Sequence, residues 1–107
     1  MRKELQFVCL CNLTGINKKI ETYFKGYHLK LKSENGENLL FTYGNELFNL
    51  IAFNPLKWNS QIMVMVKRDE IYVYAAITSF PHRVTRKKEL VWDLFLSNLK
   101  VHLTKEE

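Results

Sequence analysis

The sequence has few of the residues that give small proteins covalent cross-links or tight phosphate-binding loops. Its 107 residues include two cysteines, four glycines and two prolines. Two cysteines cannot form a disulfide scaffold, and their scarcity fits a reducing compartment. The apolar runs are far shorter than the roughly 20 residues that a membrane-spanning helix needs. Residues 7–10 are too short for a signal-peptide core. We therefore expect an intracellular, cytoplasmic protein without a membrane span.

Motifs for catalysis or metal binding are also missing. The sequence has no glycine-rich phosphate loop, and its carboxylates are scattered rather than paired for acid–base work. Cys9 and Cys11 would share one face of a strand, but a structural zinc site needs four ligands and no second pair accompanies them. Two small core residues are the simpler interpretation. The sequence therefore assigns no catalytic residue, no metal and no cofactor, and an enzyme is the least supported class.

What the chain has in quantity is apolar side chains, together with a mild excess of positive charge. Apolar residues make up 47% of the sequence, which suits one domain over residues 1–107 with a substantial core. The formal net charge is +5. Such a charge can attract nucleic acid or anionic membranes, but it also serves solubility. The charge alone therefore does not decide between classes of partner.

The clearest structural signal is a hairpin within residues 61–79. Two runs rich in β-branched and aromatic residues, 62–66 and 71–78, flank a break of four residues. Pairing the runs about this break places valine and isoleucine side chains on one face. The predicted facing pairs are Val66 with Ile71, Val64 with Val73, Ile62 with Ala75 and Lys67 with Glu70. The other face carries Met63, Met65, Tyr72 and Tyr74. Because neither face is polar, either both faces are covered or one of them is a binding surface.

Residues 84–103 predict a long helix that is apolar on more than one side. A polar stripe recurs at spacings of three and four, through Glu89, Asp93, Ser97 and Lys100. One apolar side is expected to pack on the Val/Ile face of the hairpin. The side with Trp92, Leu96 and Leu103 points away from the side with Leu90, Leu94 and Val101. Either other segments cover this helix, or the surplus side binds a partner or a second copy, with Trp92 as anchor.

The remaining segments predict further strands and a first helix. Residues 4–11 form a strand, and Thr14 caps a helix over residues 15–25 that stops at Gly26. Two short strands, at 27–32 and 38–43, flank the turn signal Asn35-Gly36. The first of these alternates as an exposed or edge strand does. Residues 46–53 suit either a helix or a buried strand.

Together these segments predict an α+β fold. We expect an antiparallel sheet of about five strands containing the hairpin 61–79, with a short N-terminal helix and a long C-terminal helix packed on it. If residues 46–53 form a helix, the order of elements begins β-α-β-β-α-β, which would make the fold a ferredoxin-like variant.

The densest basic segment, residues 82–88, lies at the start of the last helix. Backbone N–H groups and basic side chains there would suit a phosphate, whereas a solvated face is the alternative. The candidate anion- or nucleic-acid-binding residues are Arg83, Thr85, Arg86, Lys87 and Lys88, with Lys67 and Arg68 from the hairpin turn. Tyr72 and Tyr74 resemble a stacking platform for unpaired bases, although core packing beneath the first helix would explain them as well.

We therefore predict a small non-catalytic domain that binds another protein or a second copy of itself. The candidate interface residues are Trp92, Leu96, Leu103, Met63, Met65, Tyr72 and Tyr74. The alternative is a domain that binds nucleic acid or phosphate through the basic segment. A small apolar ligand between sheet and helix would require a cavity there.

Overall fold

The computed structural model describes residues 1–8, 13–35, 38–44, 54–67, 70–79 and 82–104. Seven regular elements and one 3-10 turn, Pro55–Lys57, make up this part of the chain. In order they are β1 (Arg2–Val8), α1 (Leu13–Gly26), β2 (Lys30–Asn35), β3 (Asn38–Tyr43), β4 (Ser60–Lys67), β5 (Glu70–Ile77) and α2 (Arg86–Thr104). Within these residues, neither helix is long and apolar enough to cross a membrane.

The five strands form one sheet in the order β1-β5-β4-β3-β2, and every neighbouring pair is antiparallel. Strands β2 to β5 follow one another across the sheet, while β1 pairs with β5 at the far edge. As a result, β1 and β2 run parallel to each other at opposite edges, and α1 connects them. The predicted α+β class and five-stranded sheet are confirmed. The ferredoxin-like alternative depended on residues 46–53, which lie outside the described residues.

The hairpin of β4 and β5 has the predicted register. Val66 pairs with Ile71, Val64 with Val73, Ile62 with Ala75 and Lys67 with Glu70. The strand β3 has the predicted bounds, and β2 is an edge strand whose residues are all exposed. Its pairing with β3 is interrupted by a bulge between Leu31 and Ser33, which makes this edge a poor template for another strand. The strand predicted at residues 4–11 begins earlier, at Arg2, and its predicted last residues, with Cys9 and Cys11, fall outside the described residues.

Both helices pack on the Val/Ile face of the sheet. Along strands β4 and β5 every second residue is buried on this face, as expected for side chains that alternate between the two faces of a sheet. The helix α1 contributes Ile16, Ile20 and Phe24, which are spaced four apart and buried. Between the helices, the Tyr23 hydroxyl donates a hydrogen bond of 2.7 Å to the carbonyl oxygen of Phe95. The domain is therefore two layers, with its core between the sheet and the helices.

The side of α2 that is predicted to bind a partner is its buried side. Trp92 is 1% exposed, and Leu96 and Leu103 are also buried in the core. The indole Nε1 of Trp92 donates a hydrogen bond of 2.9 Å to the carbonyl oxygen of Pro55. This side is covered because the 3-10 turn and α1 both pack against it. The prediction that Trp92, Leu96 and Leu103 form an exposed surface is therefore wrong.

The helix α1 ends at Gly26, as the glycine signal indicates, but the left-handed residue of its cap lies two positions later. The N–H of Leu29 donates to the carbonyl of Phe24, and the N–H of His28 donates to the carbonyl of Lys25, each at 3.0 Å. This pair of bonds is a Schellman cap, in which the residue before the last donor adopts a left-handed conformation. His28 has φ of 67° and occupies that position. Because the cap uses residues 27–29, β2 begins at Lys30 rather than at residue 27.

Candidate functional site

The face of the sheet opposite the helices, which we call the exposed sheet face, carries side chains from all five strands. Three cross-strand rows follow from the registers. The first row is Arg2, Ala76, Gln61, Thr42 and Lys30. The central row is Glu4, Tyr74, Met63, Leu40 and Ser33. The third row is Gln6, Tyr72, Met65, Asn38 and Asn35. The apolar and aromatic side chains of these rows lie on the three middle strands, together with Gln61, Thr42 and Asn38, and a polar side chain stands at both ends of each row.

Large apolar side chains on this face are accessible to solvent. Met63 is 41% exposed and Tyr74 is 39% exposed, while Leu40, Met65 and Tyr72 are half-buried. No element among the described ranges lies across this face. The expectation that Tyr72 and Tyr74 pack beneath the first helix is therefore wrong, because α1 lies on the Val/Ile face. The grouping of Met63, Met65, Tyr72 and Tyr74 on one face is confirmed by the register.

A hollow of about 310 Å³ lies in the exposed sheet face beside Tyr74. It forms where the small side chain of Ala76 stands between Arg2 and Gln61 in the first row. Its walls come from the first two rows, with Arg2 and Glu4 at one edge. The residues around it are Arg2, Lys3, Glu4, Leu40, Gln61, Met63, Tyr74, Ala75 and Ala76. The hollow is on the outer side of the sheet, not between the sheet and the helices, where the sequence hypothesis placed an apolar ligand.

The Tyr72 side chain, at the other end of this face, is hydrogen-bonded to a residue of its own strand. Its hydroxyl donates a hydrogen bond of 2.5 Å to Oε2 of Glu70. This hydrogen bond, followed by burial and nearby negative charge, raises the pKa of Tyr72. The ring of Tyr72 is thus anchored by a hydrogen bond at its tip, and its hydroxyl stays protonated at neutral pH.

In the basic segment, two of the predicted anion-binding groups already have partners within the protein. The Thr85 hydroxyl accepts a hydrogen bond of 3.3 Å from the Lys88 N–H, so Thr85 caps α2. The Lys88 ammonium donates to the carbonyl oxygen of Arg83 at 3.3 Å and lies 5.6 Å from the centre of the Trp58 ring. Arg83, Arg86 and Lys87 are the exposed cations that remain.

Lys3 neutralises the acidic residues beside the basic segment. Its ammonium lies 2.5 Å from Oε1 of Glu89 and 2.9 Å from Oδ1 of Asp93. Burial by itself lowers the pKa of Lys3, but the hydrogen bonds to Glu89 and Asp93 outweigh it, and the pKa is raised overall. Arg86 lies farther from Glu89, at 3.9 Å, and is largely exposed. The positive charge of Arg83, Arg86 and Lys87 is therefore only weakly compensated by these carboxylates.

The structure does not bring Lys67 of the hairpin to the basic segment. Lys88 lies over Trp58, which precedes the first residue of β4, whereas Lys67 is the last residue of β4. An eight-residue strand is about 24 Å long from its first residue to its last, so Lys67 lies at the opposite end of the sheet. Arg68 lies outside the described residues. The basic segment also leads into a helix on the Val/Ile side, so it is separate from the exposed sheet face.

Several residues of the exposed sheet face were not among the sequence-based candidates. Leu40 follows from the pairing of β3 with β4, where it faces Met63. Arg2 and Glu4 follow from the pairing of β1 with β5, which joins residues 62 to 74 positions apart. No local sequence signal indicates that pairing. Among the described residues, no group of three or more histidine, cysteine, aspartate or glutamate side chains is placed to hold a metal ion.

The described residues form a small α+β architecture, with two helices on one side of a five-stranded antiparallel sheet. A similar arrangement occurs in the crystal structure of the vertebrate conserved region of human METTL16. The likeness has a TM-score of 0.50 and covers 97% of this chain and 100% of that chain, with 11% sequence identity. At this identity the likeness shows a shared fold alone. No family model and no curated protein sequence matches the chain.

Proposed function

We propose that this chain is a non-catalytic binding domain that docks a partner protein on its exposed sheet face. The observation that carries the proposal is the accessible row of Tyr74, Met63 and Leu40 beside the hollow at Ala76. Exposed apolar patches with a polar border are typical of protein-binding surfaces. Tyrosine and methionine are both enriched at such interfaces.

The arrangement of charge on this face favours a protein as the occupant. Arg2, Lys30 and Lys67 contribute positive charge, and Glu4 and Glu70 contribute negative charge, so charges of both signs border this face. A surface that tracks a nucleic-acid backbone needs positive charge along its length. A mixed border around an apolar centre matches the anatomy of a protein interface instead. We infer that an apolar side chain of the partner enters the hollow and that polar groups around it meet Arg2 and Glu4.

The test compares the double variant Met63→Ala/Tyr74→Ala with a matched control. Val84→Ala removes a side chain that is 38% exposed, close to the exposure of Met63 and Tyr74, at a site remote from the sheet face. Each tagged protein is used for quantitative affinity capture from cells that naturally contain it. We expect a captured protein to be retained by the wild type and by Val84→Ala and lost with the double variant.

A purified partner then gives the quantitative result. We expect the double variant to weaken the dissociation constant by about tenfold or more, as is common when central aromatic contacts are removed. Thermal unfolding of all three proteins checks that the fold is intact. Equal capture by all three proteins would contradict the use of this face.

A second candidate function is binding of single-stranded nucleic acid at the basic segment. One observation favours it. Lys3 forms ion pairs with Glu89 and Asp93, while the cations Arg83, Arg86 and Lys87 remain exposed. Affinity for a labelled oligonucleotide should then fall steeply with salt concentration. Arg86→Gln/Lys87→Gln should reduce that slope. The control Lys30→Gln/Lys32→Gln removes the same charge from β2 and should leave the slope unchanged. Absence of binding at low salt would exclude this function.

A further inference from the structure

The outward side of α2 carries a regular stripe of residues that the proposed function does not use. Leu90, Leu94 and Val101 are exposed on this side, and Leu94 is 62% exposed. They continue a series with polar residues between and beyond them. The series, which we call the outer seam, is Lys87, Leu90, Leu94, Ser97, Val101 and Thr104. Its members are all exposed, and they lie opposite the buried side that contains Trp92, Leu96 and Leu103.

The spacing of the outer seam is that of a helix that packs against another helix. Successive members are three, four, three, four and three residues apart. This is the seven-residue repeat in which two positions per repeat form the contact line of a coiled coil. Lys87, Leu94 and Val101 occupy one of these positions, and Leu90, Ser97 and Thr104 occupy the other. The buried side of α2 has its own neighbours within the domain, so the outer seam is a second contact line.

We propose that the outer seam pairs with the outer seam of a second copy of this chain, with the two helices antiparallel. In this arrangement Leu90 lies opposite Val101 of the other copy, and Leu94 lies opposite the small Ser97. Each contact occurs twice because the pairing has two-fold symmetry. A large side chain thus meets a small one at the centre. In a parallel pairing, Lys87 would face Lys87 and Leu94 would face Leu94.

The charges that flank the outer seam favour the antiparallel arrangement. Asp93 and Lys100 each precede a member of the seam and occupy equivalent positions one repeat apart. In coiled coils, residues at such flanking positions form ion pairs that set the orientation of the helices. Antiparallel pairing brings Asp93 of one copy near Lys100 of the other, twice. Asp93 is 40% exposed although it also contacts Lys3, so it remains accessible to a second cation.

The proposed contact is small, and its strength follows from its size. The helix has 19 residues and is about 28 Å long, with three large apolar side chains on the seam. Contacts of this size belong to the weak and transient class of interfaces. We expect a dissociation constant between about 10 µM and about 1 mM. Because α2 lies on the opposite side of the sheet from the exposed sheet face, the dimer leaves the exposed sheet face of each copy accessible. Two copies would then present two partner-binding faces.

The test is sedimentation equilibrium of the whole chain over about 10 µM to about 1 mM. We expect a monomer–dimer equilibrium for the wild type and a monomer throughout for Leu94→Glu. Since Leu94 is mostly exposed, Leu94→Glu should keep the thermal midpoint of the wild type at low concentration. The matched variant Met63→Glu places the same charge on the exposed sheet face and should dimerise like the wild type. A wild type that is monomeric at every concentration would overturn the proposal.

Two further outcomes decide between this dimer and others. A dimer that resists Leu94→Glu but is lost with Met63→Glu would place the contact on the sheet face and overturn the proposal. Lys100→Asp tests the orientation, because it would put two aspartates near each other twice in the antiparallel dimer. We expect it to weaken the dimer by about tenfold at low salt, and an unchanged dimer would overturn the antiparallel register. These results are independent of partner capture by Met63→Ala/Tyr74→Ala, so each proposal can fail separately.

Discussion

The sheet and the helix α2 each bury one apolar side and expose another, and the two exposed sides are built differently. On the sheet, Tyr74, Met63 and Leu40 are contributed by three adjacent strands and form a continuous patch beside a hollow. On α2, the exposed apolar residues form a narrow line interrupted by polar ones. A patch with a hollow can receive a side chain of a folded partner, whereas a narrow line fits another helix. The shape of the exposed side therefore indicates the kind of partner.

The two buried sides also differ in what covers them. The sheet buries short β-branched side chains beneath both helices, which makes its covered side uniform along the strands. The covered side of α2 instead has Trp92 at its centre, hydrogen-bonded to the carbonyl of Pro55 in a turn that is distant in sequence. We therefore expect the stability of the domain to be most sensitive at Trp92.

The largest expected effect separates the two sides of α2. Trp92→Ala should lower the free energy of unfolding by about 3–5 kcal/mol, because it leaves a cavity in the core and removes the hydrogen bond to Pro55. Leu94→Ala should lower it by less than about 0.5 kcal/mol, because Leu94 is mostly solvent-exposed. Urea unfolding followed by circular dichroism at low protein concentration measures both values. Equal losses in the two variants would contradict the observed orientation of the helix.

The same comparison on the sheet uses two neighbouring residues of β4. Ile62→Ala should cost about 2–5 kcal/mol, since Ile62 is fully buried beneath the helices. Met63→Ala should cost less than about 1 kcal/mol, within the range of strand preferences at exposed sites. The measurement is again urea unfolding. If Met63→Ala proved as costly as Ile62→Ala, the exposed sheet face would have to be covered in the folded monomer.

The sequence predicts which residues share a face of the sheet better than it predicts the buried side of α2. The reason is that side chains repeat every two residues in a strand and about every 3.6 residues in a helix. Along β4 and β5, residue types alternate between Val/Ile and Met/Tyr, so a slip of one residue would mix the two sets. The short break between the two runs then limits the choice among the remaining registers. The register and the four-residue grouping could therefore be derived locally. On α2, leucine residues occur on both the buried and the exposed side, so the pattern of apolar residues alone does not identify the buried one. The buried side is determined by the elements that cover it, which are the turn at Pro55–Lys57 and the helix α1. Both lie 29 or more positions away from α2 in the sequence.

The candidate site could be predicted only where it depends on neighbouring strands of a hairpin. Met63 and Tyr74 face each other on β4 and β5, and their shared face follows from counting residues along the two runs. The edge of the hollow at Arg2 and Glu4 depends on β1 pairing with β5. That pairing closes a loop of most of the chain, and it is determined by the packing of the whole sheet and not by any local preference.

A smaller effect is expected at the contact between the two helices. Tyr23→Phe removes the hydrogen bond from the Tyr23 hydroxyl to the carbonyl of Phe95, which should lower the free energy of unfolding by about 1 kcal/mol at neutral pH. Burial, followed by the neighbouring Tyr27, raises the pKa of Tyr23 above its ordinary value. The folded state therefore keeps this proton while the unfolded state loses it above about pH 10. Stability is fully present below about pH 10 and falls as the pH rises further.

Tyr23→Phe should consequently lose less stability than the wild type between neutral pH and about pH 11. Lys3 also has a raised pKa and contributes to the alkaline loss in both proteins, so the difference between the two curves isolates Tyr23. The check is urea unfolding at several pH values. Parallel curves for wild type and variant would mean that the Tyr23 hydroxyl titrates equally in both states.

The smallest expected effect is at Lys3, where the covered side of the sheet meets the polar flank of α2. Lys3→Met keeps the aliphatic part of the side chain and removes its charge, leaving Glu89 and Asp93 without their shared cation. Because all three side chains are partly exposed, we expect a loss of about 1 kcal/mol or less. The loss should shrink as salt is raised, since salt screens partly exposed pairs.

Lys30→Met, at an exposed position on β2, is the matched control and should change stability by less than about 0.5 kcal/mol at any salt concentration. If the loss at Lys3 does not depend on salt, the ion pairs do not hold β1 to α2. The covered sides of sheet and helix would then be joined at this point by the packing of the Lys3 stem alone.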